Sequence, residues 1–161
     1  MIFFLDIDGV MVHANPHKKV ELEEDGFYKF NYLAVEILKS SIYKTKDEII
    51  LSSSHRFKYD IKQWKKIFKT RGISINTLSI IDNKDFCQTH RVTRRSEIVN
   101  WIHRKNLKND EFVIIDDDKS LNDLPSSIKN RLVLTNSYTG LSNFHDLEEI
   151  LNRKIHIKTG L

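Results

Sequence analysis

Two carboxylates separated by one apolar residue close the first apolar run of the chain, Phe3-Phe4-Leu5-Asp6-Ile7-Asp8-Gly9-Val10. Along an extended backbone alternate residues share a face, so Asp6 and Asp8 can address one ligand while Ile7 turns into the core. Gly9 lets the backbone turn away at once. A pair of turn aspartates is the bland reading. An EF-hand calcium loop fits poorly, because it needs oxygen donors at fixed later positions and a closing Glu, whereas Val10, Met11 and Val12 follow.

A second acidic group ends another apolar run, Phe112-Val113-Ile114-Ile115-Asp116-Asp117-Asp118, with Asp123 beyond. Parallel strands ending at one rim would bring this group close to Asp6 and Asp8. Like charges ~4 Å apart repel by ~4 kcal/mol at an effective dielectric of about 20, so such a cluster needs a counter-charge. Oxygen-only donors point to a hard cation, magnesium rather than zinc, and no Cys/His zinc spacing is present. The third group is Ile49-Ile50-Leu51-Ser52-Ser53-Ser54-His55-Arg56, a run ending in hydroxyls able to hold a phosphate oxygen, with Arg56 placed to pair with substrate charge. Taken alone it is common turn chemistry. The fourth is Arg91-Val92-Thr93-Arg94-Arg95-Ser96-Glu97-Ile98, where a cation can neutralise both a phosphorylated intermediate and the carboxylates. The seven histidines show no metal-ligand spacing on a common element and read as surface or core-edge residues. Cys87 has no evident base partner in the sequence, which argues against a catalytic thiol.

The elements that must hold these residues follow from periodicity. Short apolar runs at residues 2–5, 48–51, 77–81, 111–115 and 131–135 read as strands covered on both faces. Between them, apolar residues recur at helical spacing: Ala34, Leu38 and Ile42; Ile61, Trp64 and Phe68; Ile98, Trp101 and Ile102; Leu147, Ile150 and Leu151. That alternation predicts a three-layer α/β domain, Rossmann-like, with a mostly parallel five-stranded sheet. Residues 9–30 lack helical period and are expected to form a flap over the first strand, and residues 82–93 a polar loop on the same rim. The face of Lys62, Lys65, Lys66 and Lys69 is either a solvated helix face or a nucleic-acid stripe.

With 161 residues, 40% of them hydrophobic, the chain has the size of one domain with its own core. A formal charge of +4 mildly favours anionic partners and is far from a histone-like excess. A single cysteine cannot form an internal disulfide, and no apolar run approaches the ~20 residues of a membrane helix. A soluble, cytoplasmic protein with no membrane partner is therefore expected. Nothing in the sequence bears on oligomeric state.

In this order and spacing, from residue 3 to residue 123, the four groups resemble the motifs of the haloacid dehalogenase superfamily of phosphotransferases. Asp6-Ile7-Asp8-Gly9-Val10 resembles its first motif, Ser53 its second, Arg94 its third and Asp116-Asp117 its fourth. The resemblance implies a Rossmann-like sheet, one Mg²⁺ and an aspartyl-phosphate intermediate. Asp6 would be the nucleophile, and Asp8 the acid that protonates the leaving oxygen and then activates water. Mg²⁺ would be held by the Asp6 carboxylate, the Asp8 carbonyl and the Asp117 carboxylate. Ser53, with Ser54 beside it, would bind the phosphoryl group together with Arg94. Ser52 and Ser54 are alternatives for the second motif and Arg95 for the third. The superfamily usually has lysine at the third motif, and an arginine can act there only as an electrostatic clamp. Ser-Ser-His-Arg, and Arg-Ser-Glu-Ile-Val-Asn-Trp-Ile before Ile-Ile-Asp-Asp-Asp, are similar to the compact domains of multifunctional RNA-repair proteins, a subgroup that often has Trp where His55 stands. The segments after the first and third strands are too short for a large cap domain, and an open cleft admits a macromolecular phosphate such as a nucleic-acid end.

The leading expectation is thus a Mg²⁺-dependent phosphomonoesterase. Its rivals are a small-metabolite or nucleotide phosphatase, a phosphoryl transferase or mutase using the same aspartate, and a binding module without turnover. A phosphoacceptor receiver domain fits less well, because receivers carry the phosphorylated Asp after the third strand.

Overall fold

The computed structural model describes residues 1–82 and 92–158. Strands β1 (Ile2–Leu5), β2 (Glu48–Leu51), β3 (Thr77–Ile80), β4 (Phe112–Asp116) and β5 (Leu132–Leu134) form one sheet in the order β3-β2-β1-β4-β5, with every pairing parallel. The helices are α1 (Tyr32–Ser41), α2 (Ile61–Thr70), α3 (Arg94–Arg104), α4 (Ser126–Lys129) and α5 (His145–Leu151). The sheet is therefore the expected parallel one, of Rossmann-like order and without a large cap.

Alternation along each strand divides the core into two layers. Phe3, Leu5, Ile49, Leu51, Val113 and Ile115 face one side, where they are buried with residues of α1, α2 and α5. Phe4, Ile50 and Ile114 face the other, with Ile98, Trp101 and Ile102 of α3 and Ile128 of α4. The central strands are buried on both faces, which is why they read as unbroken apolar runs. β4 begins and ends one residue later than the predicted 111–115, so Asp116 belongs to the strand.

One expectation needs correction. Ile61 is not core: it opens α2 beside the capping residue Asp60 and is 36% exposed, while Trp64, Ile67 and Phe68 form the buried stripe. Residues 9–30, expected to form a flap over the first strand, contain no helix. Val10, Met11, Val12, Phe27 and Phe30 are all buried in the α1/α2/α5 layer, so both ends of the segment are part of the core. Most of the predicted rim loop, with Arg91 and Cys87, lies outside the described residues. No helix among the described residues is long and apolar enough to cross a membrane.

Candidate active site

The register of the sheet assembles the first part of the site. Leu5 is paired with Leu51 on one side and Ile115 on the other. The ladder runs one residue further through Asp6 N–H to the Ile115 carbonyl (3.1 Å) and Ser52 N–H to the Leu5 carbonyl (3.0 Å). Ser52, Asp6 and Asp116 therefore lie in one row across β2, β1 and β4, on the face that α3 covers. Ser52 and Asp116 are fully buried and Asp6 is 5% exposed.

Helix α3 is started by Thr93, whose hydroxyl accepts from Ser96 N–H while the Ser96 hydroxyl accepts from Thr93 N–H, a reciprocal cap. The first helical residue, Arg94, is thereby set over the row. Its Nη1 lies 3.1 Å from Asp116 Oδ2 and 3.4 Å from Asp6 Oδ1, and its Nε lies 3.6 Å from Glu97 Oε2. Arg95 turns away and donates to the Asp123 carbonyl. Asp117 follows β4 directly, and oxygens of Asp6, Asp116 and Asp117 all come within 4.8 Å of one another. Gly9 makes this approach possible: its φ is +77°, and a Cβ there would overlap the Asp117 carboxylate. Asp118 and Asp123 do not join the group. The Asp118 carboxylate accepts from Ser120 N–H, and Asp123 lies exposed at the end of the 3₁₀ turn Lys119–Asp123.

The β2–α2 connection differs most from expectation. Arg56, expected to pair with substrate charge, is buried instead. It is 4% exposed and donates to the Ile81 carbonyl (2.7 Å), the Ser53 carbonyl (3.0 Å) and Glu97 Oε1 (2.7 Å). A buried guanidinium requires such partners, and here it binds the loop to α3. Ser53 is buried, and its hydroxyl accepts from His55 N–H, leaving the O–H free to donate. Ser54 is exposed. The Ser52 hydroxyl is the buried polar side-chain atom without a hydrogen-bond partner among the described residues.

His55, set aside on sequence grounds, belongs to the site: its Nε2 lies 2.6 Å from Asp8 Oδ2. Edge contacts with Phe27 and Tyr28 hold the ring from the far end of the 9–30 segment. Its position next to the serine run was the available signal. The contact with Asp8 depends on folding of a distant segment, which no local pattern reports.

Electrostatics set the chemistry of the cluster. Burial, followed by the charge of Asp116, raises the Asp6 carboxyl well above the usual carboxylate range, with Arg94 opposing. Burial pushes Asp116 up to about 6, again against Arg94. Burial works against the charge of Arg94, but Asp116, Asp6 and Glu97 outweigh it and hold the guanidinium cationic. With all four acids ionised, Asp6, Asp116, Asp117 and Glu97 would face only two guanidinium groups, Arg94 and Arg56, an excess of two negative charges that the raised Asp6 and Asp116 carboxyls resist. At these separations each like-charged pair costs roughly 3–4 kcal/mol at an effective dielectric of about 20. A divalent cation would balance the excess. The all-oxygen donor set fits a hard cation such as Mg²⁺ and lacks the nitrogen and sulfur ligands zinc favours. The Asp8 carboxylate is outside this three-acid group.

A five-stranded parallel sheet of order 3-2-1-4-5, with acids after its central strand meeting acids at the end of the next, is the arrangement that the haloacid dehalogenase resemblance implied. The family model described as "HAD domain in Swiss Army Knife RNA repair proteins" matches residues 2–145, and the chain belongs to that family. No curated protein and no solved structure gave a match.

Proposed function

We propose that this domain is a Mg²⁺-dependent phosphomonoesterase that works through an aspartyl-phosphate on Asp6 and acts on a phosphorylated nucleic-acid end. The observation that carries the reading is the Asp6–Asp116–Asp117 group, whose oxygens lie within 4.8 Å of one another and whose two buried members are braced by Arg94. The nucleic-acid part rests on the RNA-repair family, the missing cap and the positive balance.

In this mechanism an Asp6 carboxylate oxygen attacks phosphorus and the ester P–O bond breaks. Asp8 gives its proton to the departing alkoxide, then takes one from water as that water displaces Asp6 and releases inorganic phosphate. His55 holds the Asp8 carboxylate in place. Arg94 steadies the charge of the intermediate, and Ser53, Ser54 and the unpartnered Ser52 hydroxyl are the donors for its oxygens. Asp6, Asp117, the Asp8 carbonyl and Asp116 would hold Mg²⁺, which supplies Lewis-acid stabilisation of charge on the phosphoryl oxygens.

Phosphate release from 3′- and 5′-phosphorylated oligonucleotides tests the reading. Release should stop with chelator and return with Mg²⁺. Asp6→Asn should fall below a few per cent of wild type with an unchanged melting temperature, since the substitution keeps shape and removes the attacking charge. Full activity in chelator would sink the mechanism.

A further inference from the structure

Beside the acidic cluster, on the β5 side, lies a cavity of about 510 Å³, within the roughly 300–1,000 Å³ usual for small-molecule sites. Asp117 forms one wall, shared with the catalytic cluster, and Pro16, Lys119, Asn122, Asn136 and Tyr138 contribute to the others. The two halves of the cavity are tied together. Ala14 N–H donates to the Ser137 carbonyl (2.7 Å) and Leu141 N–H to the Val10 carbonyl (2.8 Å). The Thr135 hydroxyl donates to the Gly9 carbonyl (2.6 Å). Gly140 permits this closeness: its φ is +70°, and a Cβ there would sit 2.6 Å from the Val10 carbonyl oxygen. The cavity is thus held at a set position relative to Asp6.

Its chemistry is specific. Tyr138 stands at the tip of the turn closed by the Asn136–Gly140 bridge, is 61% exposed, and makes no ring contact with any described residue. The Asn122 amide has no hydrogen bond, and the Lys119 ammonium no ion pair, among the described residues. Asn136 uses its Oδ1 on Tyr138 N–H, which leaves its amide N–H₂ to donate. An exposed aromatic face with amide donors and acceptors beside it is how unstacked bases are held and read. A free ammonium nearby suits a flanking phosphate.

We propose that this cavity seats the terminal nucleoside of a phosphorylated nucleic-acid end. The base stacks on Tyr138, its edge meets the amides of Asn122 and Asn136, and Lys119 meets the next phosphate. The proposal rests on the phosphatase reading in that the reacting phosphate is placed at Asp6.

Equilibrium binding to the Asp6→Asn protein with Mg²⁺ tests it, using a nucleoside monophosphate, ribose phosphate and inorganic phosphate as probes. The nucleotide should bind roughly tenfold more tightly than ribose phosphate, in the range of one base–aromatic stack. Adding Tyr138→Ala should weaken nucleotide binding by about the same factor and ribose phosphate far less, and Tyr138→Phe should restore it. Equal affinity for nucleotide and ribose phosphate, or equal losses for both on Tyr138→Ala, would overturn the proposal. A wild-type protein that shows the Tyr138-dependent preference but releases no phosphate from any oligonucleotide would instead overturn the phosphatase reading and leave the nucleoside seat standing.

Discussion

Asp8 and His55 form a pair whose two halves have separable consequences. In the proposed mechanism Asp8 protonates the leaving oxygen, which matters most where that oxygen is basic, so Asp8→Asn should slow an alkyl phosphate by about 10²–10⁴-fold and an aryl phosphate less. His55 would act in that mechanism through Asp8, because its Nε2 lies 2.6 Å from the carboxylate and its loss would misplace the proposed acid. His55→Ala should cost roughly 10- to 100-fold on the alkyl phosphate, and almost nothing further in an Asp8→Asn background. Additive losses would show that His55 does not work through Asp8. Asp116 is the other residue whose state matters. Its folded-state value of about 6 is raised above the unfolded 3.8, so folding favours its protonated form. That contribution is present at low pH and is lost as pH rises from about 4 through about 6. If Asp116 is a ligand of the proposed Mg²⁺, the ion needs it ionised, and the stabilisation by Mg²⁺ should grow across the same window. The rise in melting temperature on adding Mg²⁺ should be larger at about pH 7.5 than at about pH 5, as scanning calorimetry would register. An equal rise at both would remove Asp116 from the metal site.

At the scale of elements, the β2–α2 loop and the start of α3 form one unit through Arg56. Its guanidinium is bonded to Ile81, Ser53 and Glu97, and its carbonyl accepts from Trp64 Nε1 at 3.0 Å. Arg56→Ala would take the donor from the Ile81 and Ser53 carbonyls and leave Glu97 only its longer contact with Arg94, so it should destabilise the protein by about 3–5 kcal/mol in urea unfolding. A substrate-contacting arginine would behave otherwise, with stability unchanged and KM raised. The same unit explains why Arg94 reaches Asp6 at all: Glu97, one turn along α3, is shared between Arg56 and Arg94 and so locks the helix start to the loop.

For the molecule as a whole, the cationic groups are unevenly placed. Lys44, Lys65, Lys66 and Lys69 line a groove of about 850 Å³ along the end of α2 and the turns leading into β2 and β3, the opposite end of the sheet from the aspartates. α2 has 10 residues, about 15 Å of helix, so these lysines can meet only phosphates well removed from the reacting one. With Arg56 buried and Arg95 bonded to the Asp123 carbonyl, near-site electrostatics falls to fewer groups than the sequence suggested. An oligonucleotide phosphate should still be processed with higher kcat/KM than the mononucleotide at low salt. The advantage should shrink with salt at a logarithmic slope of roughly −0.7 per phosphate contacted. A mononucleotide or sugar phosphate processed equally well at every salt concentration would remove the nucleic-acid reading.

What local pattern determined was the sheet and the ends of its strands. Unbroken apolar runs alternating with helical stripes favour buried parallel strands, whose ends share one rim, so the positions of Asp6, Asp8, Asp116 and Asp117 at strand ends were legible from the sequence. Tertiary structure decided which neighbours belong to that rim. Arg56 and Arg94 are the same residue type beside similar motifs, yet the sheet register and the Thr93 cap aim Arg94 at Asp6 and Asp116, while burial turns Arg56 to backbone carbonyls and Glu97. His55 reaches Asp8, 47 residues away in sequence, because Phe27 and Tyr28 from a third segment hold its ring. The cavity at Tyr138 likewise exists because hydrogen bonds join residues near position 10 to residues near position 140. Periodicity reports which face of an element is covered, but not which residue on another element covers it, and contacts between distant segments follow from packing the whole chain.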